Sequence, residues 1–264
     1  MTSRNSPLTK AVLLAAGKGT RMKELTADLP KPMISVGGKP VLEHIVYGLK
    51  KAGVERFLVI TGYKEEVVRS HFADGSKFGV AIEYACQAVQ DGTGRVVDLA
   101  RDFAGVDPFI LSYGDILVAH ETYQKVQQAW GSRPLDGLLT LKLGEDVRKG
   151  AVVILNEQQD VVDLVEKPND DEVRDLRARF GDFKPWYNAG IYAFTSKIFD
   201  YIRKLQKSPR GEYELTDALR QMIHAKCKYG GMIIDDYWID VRDPEVVKEA
   251  NRQWKKSETF KAEG

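Results

Sequence analysis

The most constraining feature of this chain is an apolar run, Ala11 to Ala16, that breaks directly into Gly17-Lys18-Gly19-Thr20-Arg21. The run reads as a buried strand. A buried strand ending in a glycine-rich turn offers backbone N–H groups at its carboxyl end, where open α/β sheets bind ligands. Glycine has no Cβ, so that backbone can press against phosphate oxygens. Arg21 and Lys31 add fixed positive charge close by. Together these parts suit a nucleoside triphosphate, and an ordinary strand-to-helix turn with two glycines stays open beside that reading.

Two better-known phosphate loops are excluded. The P-loop pattern G-x-x-x-x-G-K-[ST] fails because Lys18 is followed by Gly19 and position 12 is valine. The dinucleotide fingerprint G-x-G-x-x-G fails because Met22 stands where the third glycine would let helix and strand pack closely.

Strand and helix patterns alternate through the first half. Strands are expected at 11–16, 56–61, 81–85 and 108–113, with helices at 41–52, 64–72 and 94–103. Val41, Leu42, Ile45, Val46 and Leu49 have helical spacing, and Gly53 closes that helix. Such alternation implies a parallel sheet. The second half reads as strands at 138–143, 151–155, 161–166, 188–194 and 232–239, some of them antiparallel. A charged helix or loop is expected at 171–180, and helices at 198–205, 213–225 and 244–254.

Composition bounds the rest. The 264 residues, 43% of them hydrophobic, suffice for one large α/β domain or two small ones. With 39 Lys and Arg against 38 Asp and Glu, the chain has no global field for nucleic acid or membrane, so any anion site must be local. Cys86 and Cys227 have no metal-ligand spacing, which points to a reducing compartment. The N-terminus lacks the apolar core of a signal peptide, and no apolar run approaches the ~20 residues of a membrane helix. A cytoplasmic protein is expected.

Several short motifs could carry chemistry, each with a plainer alternative. Pro30-Lys31-Pro32 stiffens the backbone around a lysine and pre-places its ammonium, or is a simple turn. Gly114-Asp115 follows an apolar strand, where a carboxylate often anchors Mg²⁺ but more often caps a helix or turn. Asp240, in Trp238-Ile239-Asp240, could complete such a site if it meets Asp115. In the stretch Gln87 to Gly94, the Gln87 amide can donate and accept, as the edge of a uracil or thymine ring requires. Glu166-Lys167-Pro168, Asn188-Ala189-Gly190 and Gly211 to Asp217 offer carboxylate, amide and lysine groups that suit a sugar with a phosphate; surface or turn chemistry is the alternative.

Taken in order, LLAAGKGTRM, LPKPM, QAVQDGTG, YGDI, VEKP, NAGIYAF and WID resemble the sugar-1-phosphate nucleotidylyltransferases, also called nucleotide-sugar pyrophosphorylases, over roughly residues 10–245. The resemblance implies a Rossmann-like, three-layer α/β/α, GT-A-like nucleotidyltransferase fold with a mixed, mostly parallel central sheet. It implies one domain over 1–264, with a nucleotide-binding half at about 9–115, a sugar-binding half at about 116–245 and a C-terminal helix and tail at 246–264. The implied reaction is attack of a sugar 1-phosphate on the α-phosphorus of a nucleoside triphosphate, releasing pyrophosphate. By position, Asp115 and Asp240 would hold Mg²⁺, Arg21 the pyrophosphate portion, Lys31 the transferring phosphoryl group and Lys167 the sugar phosphate. Gly17, Lys18, Gly19 and Thr20 would line the nucleotide, and Leu14, Ala15, Gln87, Gly92 and Thr93 its base. Gly150, Glu166 and Asn188 would contact the sugar.

Gln87 favours UTP or dTTP. Glucose 1-phosphate or N-acetylglucosamine 1-phosphate is the expected sugar, with mannose 1-phosphate and GTP as another pairing. The partners expected are small molecules, not nucleic acid or membrane, and homo-oligomerisation stays open. The chain stops soon after Trp254, so no hexapeptide-repeat acetyltransferase domain is expected. Two alternatives remain: a cytidylyltransferase acting on a non-sugar phosphate such as phosphocholine, and a non-catalytic regulatory homologue that binds nucleotide-sugars.

Overall fold

A computed structural model describes residues 5–20, 22, 26 and 28–256. The chain divides into two compact units. The first comprises Thr9–Gln90, Leu111–Lys125 and Asp236–Gly264, and the second Met1–Leu8, Asp91–Ile110 and Val126–Asp235.

In the first unit, strands Lys10–Ala15, Arg56–Thr61 and Ala81–Cys86 pair in parallel, with Leu13 opposite Val59 and Val59 opposite Tyr84. The first two are buried along nearly their whole length, which is why they read as continuous apolar runs rather than alternating ones. Helix Val41–Lys51 connects them and buries Val41, Leu42, Ile45, Val46 and Leu49; Gly53 follows with φ 95°, as the helix-closing role requires. Helix Glu65–Phe72 follows the middle strand and buries Val68 and Phe72.

Strand Ile116–Val118 pairs antiparallel with Trp238–Asp240. This corrects the expected strand 232–239. Tyr229–Ile233 instead runs parallel to Gly137–Lys142 in the second unit, and the exposed Asp235-Asp236 pair separates it from Trp238–Asp240. Both halves are apolar, so periodicity alone could not divide them. Helix Pro244–Lys256 docks on the hairpin Ser35–Val36/Lys39–Pro40, where Asn251 accepts from the Gly37 N–H at 3.0 Å.

The second unit is mainly antiparallel. Val161–Glu166 pairs with Ala151–Leu155, and Trp186–Phe194 pairs with both Ala151–Leu155 and Gly137–Lys142. Helix Leu215–His224 packs on Val161–Glu166. The charged stretch resolves as helix Asp170–Phe180, begun by a capping box in which Asn169 and Glu172 satisfy each other's backbone N–H groups. The expected helix 94–103 is broken into Thr93–Val96, a 3-10 turn Val97–Ala100 and Arg101–Ala104. Helix Glu121–Ser132, whose mean hydropathy is low, was not expected from the sequence. Among the described residues no helix is long and apolar enough to cross a membrane. The sheet is thus mixed and flanked by helices, as expected.

Candidate active site

The loop after strand Lys10–Ala15 is held at its entrance. The Ala16 carbonyl accepts from the Gln90 side-chain amide at 2.8 Å and from the Tyr63 N–H at 3.2 Å. Gly19 has φ +65°, and a Cβ there would lie 2.9 Å from Lys31 Cβ. Conformation and packing therefore both require this glycine. Gly17 is exposed and nothing among the described residues would meet a Cβ there, so its value lies in leaving the loop surface open. Lys18 Nζ sits 5.5 Å from the Tyr63 ring, and Thr20 is exposed. Met22 is fully buried, so the position that a dinucleotide loop reserves for glycine is here a core anchor. Arg21 lies outside the described residues.

Lys31, Asp115 and Asp240 are brought together. Lys31 begins the 3-10 turn Lys31–Met33, between Pro30 and Pro32. Its ammonium lies 2.5 Å from Asp115 Oδ2 and 3.6 Å from Asp240 Oδ1. The antiparallel pair explains the meeting: Asp240 stands opposite Ile116, and the Val241 N–H donates to the Asp115 carbonyl at 2.9 Å. Gly114 makes the approach possible. Its N–H donates to the Leu14 carbonyl at 2.9 Å, and a Cβ would lie 2.8 Å from that oxygen and 3.2 Å from Pro32 Cγ. Two carboxylates thus converge on one ammonium at a partly buried place. Hard oxygen donors of this kind suit a divalent cation that takes its other ligands from water or phosphate. Among the described residues no group of three or more His, Cys, Asp or Glu gathers to hold a metal, so these two carboxylates are the relevant donor set.

Gln87 follows strand Ala81–Cys86, where its N–H donates to the Thr61 carbonyl at 2.8 Å. Gln90, three residues on, was missed by the sequence reading. A polar loop residue carries no periodic signal, and its role as a clasp on Ala16 depends on a contact 74 positions away.

In the second unit, Asp91 to Gly94 zips onto the chain before helix Leu215–His224. The Tyr213 N–H donates to the Asp91 carbonyl at 2.8 Å, the Gly94 N–H to the Tyr213 carbonyl at 2.7 Å, and the Leu215 N–H to Thr93 Oγ1 at 3.3 Å. Gly92 has φ +119°, and a Cβ would sit 2.4 Å from the Tyr213 carbonyl oxygen. Tyr213 and Glu214 therefore precede the helix, with Glu214 extended, where the sequence pattern places its start at 213.

Thr216 then donates to Glu166 Oε2 at 3.3 Å. Burial raises the Glu166 carboxyl above its usual range, and the neighbouring Glu214 charge adds to the effect. Lys167 Nζ lies 4.0 Å from Glu166 Oε1, and its backbone takes φ +43°, a left-handed conformation unusual for a lysine. The Lys167 N–H donates to the Gly150 carbonyl at 2.5 Å. A Cβ at Gly150 would strike the Tyr187 hydroxyl at 2.5 Å, so glycine is required where Tyr187 lies across it. Asn188 Nδ2 donates to the Tyr192 hydroxyl at 2.7 Å, while its buried Oδ1 has no partner among the described residues.

Between Asn188 and Tyr192 the strand register shifts by two residues against Gly137–Lys142. Gly190, at φ +81°, turns the bulge. The buried Thr140 hydroxyl patches it, donating to the Ile191 carbonyl at 2.8 Å and accepting from the Ile191 N–H at 3.2 Å.

A family model described as nucleotidyl transferase matches residues 10–257. The bifunctional protein GlmU of Methanococcus aeolicus is 34% identical over 241 residues, covering 91% of this chain and 53% of the relative. The UTP–glucose-1-phosphate uridylyltransferase AglF of Haloferax volcanii is 31% identical over 251 residues, covering 95% and 98%. A candidate glucose-1-phosphate thymidylyltransferase of Bacillus anthracis, crystallised with sucrose, superposes with a TM-score of 0.80 at 25% identity, covering 96% and 98%. The chain spans about half the length of the bifunctional relatives it matches.

Proposed function

The chain belongs to the nucleotidyl transferase family, and from that premise we propose that it is a sugar-1-phosphate nucleotidylyltransferase, transferring a nucleotidyl group to a sugar 1-phosphate with release of pyrophosphate. The observation that carries this reading is Lys31, whose ammonium is set between Asp115 and Asp240 and whose stem packs against the glycine loop at Gly19. Phosphoryl transfer asks little covalent chemistry of a protein; positioning and charge stabilisation supply the rate.

In this reading Asp115 and Asp240 hold Mg²⁺, which supplies positive charge against the triphosphate oxygens when bound. Lys31 holds the transferring phosphoryl group, and Arg21 the pyrophosphate portion. Gly17, Lys18, Gly19 and Thr20 line the triphosphate. Leu14, Ala15, Gln87, Gly92 and Thr93 line the base, and the Gln87 amide favours a pyrimidine, hence UTP or dTTP. Lys167 holds the sugar phosphate. Gly150, Glu166 and Asn188 meet the sugar, with the unpartnered Asn188 Oδ1 as an acceptor for a hydroxyl.

Glucose 1-phosphate is the preferred acceptor, supported by the name of the Haloferax volcanii relative. N-acetylglucosamine 1-phosphate comes second. All substrates are small molecules, and the protein works in the cytoplasm. The test is pyrophosphate release over a matrix of triphosphates and sugar phosphates, with Mg²⁺ present or chelated by EDTA. Release with UTP or dTTP and glucose 1-phosphate, abolished by EDTA and restored by Mg²⁺, is expected. Release only with phosphocholine and CTP, or none with any pair, would overturn the reading.

A further inference from the structure

The second unit carries a cleft of about 620 Å³ between the stretch 204–209 and one face of helix Leu215–His224. None of the residues given a role in the transfer reaction lines it. Arg220 and Gln221 each lie three or four residues from Asp217 and from His224, so the four share the helix face that borders the cleft. The opposite face, with Ala218, Leu219, Met222 and Ile223, is buried. Lys204 and Lys207 border the cleft from the facing stretch.

Arg220 on this helix face is held in place from behind. Asp163 is fully buried and accepts from Arg220 Nε at 2.8 Å and Nη2 at 3.2 Å. The same carboxylate takes Arg179 Nη1 at 2.9 Å and lies 3.3 Å from His224 Nε2. Arg179 also pairs with Asp175 at 3.4 Å, so the buried Asp163 serves chiefly to fix the orientation of Arg220. A cation oriented in advance loses less entropy when it meets an anion. Lys204 and Lys207 add charge on the facing wall, and Asp217 and Gln221 supply acceptors for hydroxyl groups.

We propose that this cleft binds a small phosphorylated molecule, its phosphate held by Lys204, Lys207 and Arg220. Planar guanidinium and flexible ammonium groups together are a common way to take a phosphate. The proposal does not depend on the transfer reaction assigned above.

The test is an amide-shift titration of the isotope-labelled full chain with inorganic phosphate and, separately, with glucose 1-phosphate. Saturable shifts in 204–209 and 217–224 are expected with both probes. A Lys204→Glu/Lys207→Glu double variant, with an unchanged melting temperature, should lose them. It should keep any shifts around 17–20 and the wild-type rate of pyrophosphate release. The proposal is overturned if those segments show no saturable shift, if sodium chloride at equal ionic strength reproduces it, or if it survives the charge reversal.

Discussion

Lys31 Nζ stands 2.5 Å from Asp115 Oδ2, and the two residues are joined by a backbone that leaves neither much freedom. Two prolines set the lysine, and Gly114 seats the aspartate against the Leu14 carbonyl. A second carboxylate, Asp240, lies 3.6 Å from the same ammonium. Replacing Asp115 by alanine should reduce pyrophosphate release by about 100-fold or more, the usual cost of losing one preorganised charge-stabilising contact. Circular dichroism should be unchanged, because Asp115 is partly exposed. A variant with near wild-type turnover at saturating Mg²⁺ and triphosphate would remove Asp115 from the site.

Gly92 can be tested through stability. At φ +119° a Cβ is strained, and the Tyr213 carbonyl 2.4 Å away is backbone that cannot step aside cheaply. Gly92→Ala should cost about 2 kcal/mol or more in denaturant unfolding, with lost amide protection at Tyr213 and Leu215. An alanine variant as stable as the wild type would show that the zipped segment is not held as described.

Asp163 links stability to acid. Burial alone would raise its pKa, but the hydrogen bonds and charge of Arg220, with His224, outweigh it and hold the carboxyl below its ordinary range. Its contribution is therefore fully present above the unfolded-state value of about 3.9 and is lost as pH falls through the lower folded value. Asp163→Asn should cost about 1.5 kcal/mol at neutral pH, since the buried position loses its charge-assisted hydrogen bonds from Arg220 while the arginines, a third or more exposed, stay hydrated. The gap from the wild type should close in acid, and a pH-independent gap would contradict the assignment.

Glu166 has the opposite sign. Its pKa is raised, by burial first and Glu214 second. The stability it contributes is present below the unfolded value of about 4.3 and is lost as pH rises through the folded one. Glu166→Gln should thus melt higher than the wild type at neutral pH, with the advantage fading in acid. If Glu166 meets the sugar as proposed, the same variant should raise the KM for the sugar phosphate. Higher stability without a KM change would leave Glu166 outside the sugar site.

Much of the site was legible because its residues follow apolar runs that end at glycine or proline. Asp115 follows such a run, Lys31 stands between two prolines and Asp240 ends the short Trp238-Ile239 stretch; only their meeting needed the structure. The pairing of Ile116–Val118 with Trp238–Asp240 was hidden because residues 232–239 are apolar on both sides of the break. Asp163 was passed over inside a strand-like run of valine and leucine, since its partners Arg179, Arg220 and His224 lie on two distant helices. The Gln90 clasp and the Thr140 patch are side-chain to backbone bonds across long sequence separations, which no local pattern announces.

The bulge at Gly190 separates two obligations within one strand. From Ile191 to Phe194 every side chain is buried and answers to the core. Asn188 stands on the other side of a two-residue register shift whose backbone is satisfied by Thr140 rather than by the ladder. The Asn188 amide still reaches back across the shift to the buried Tyr192 hydroxyl at 2.7 Å, so one side chain fastens the recognition end of the strand to its core end.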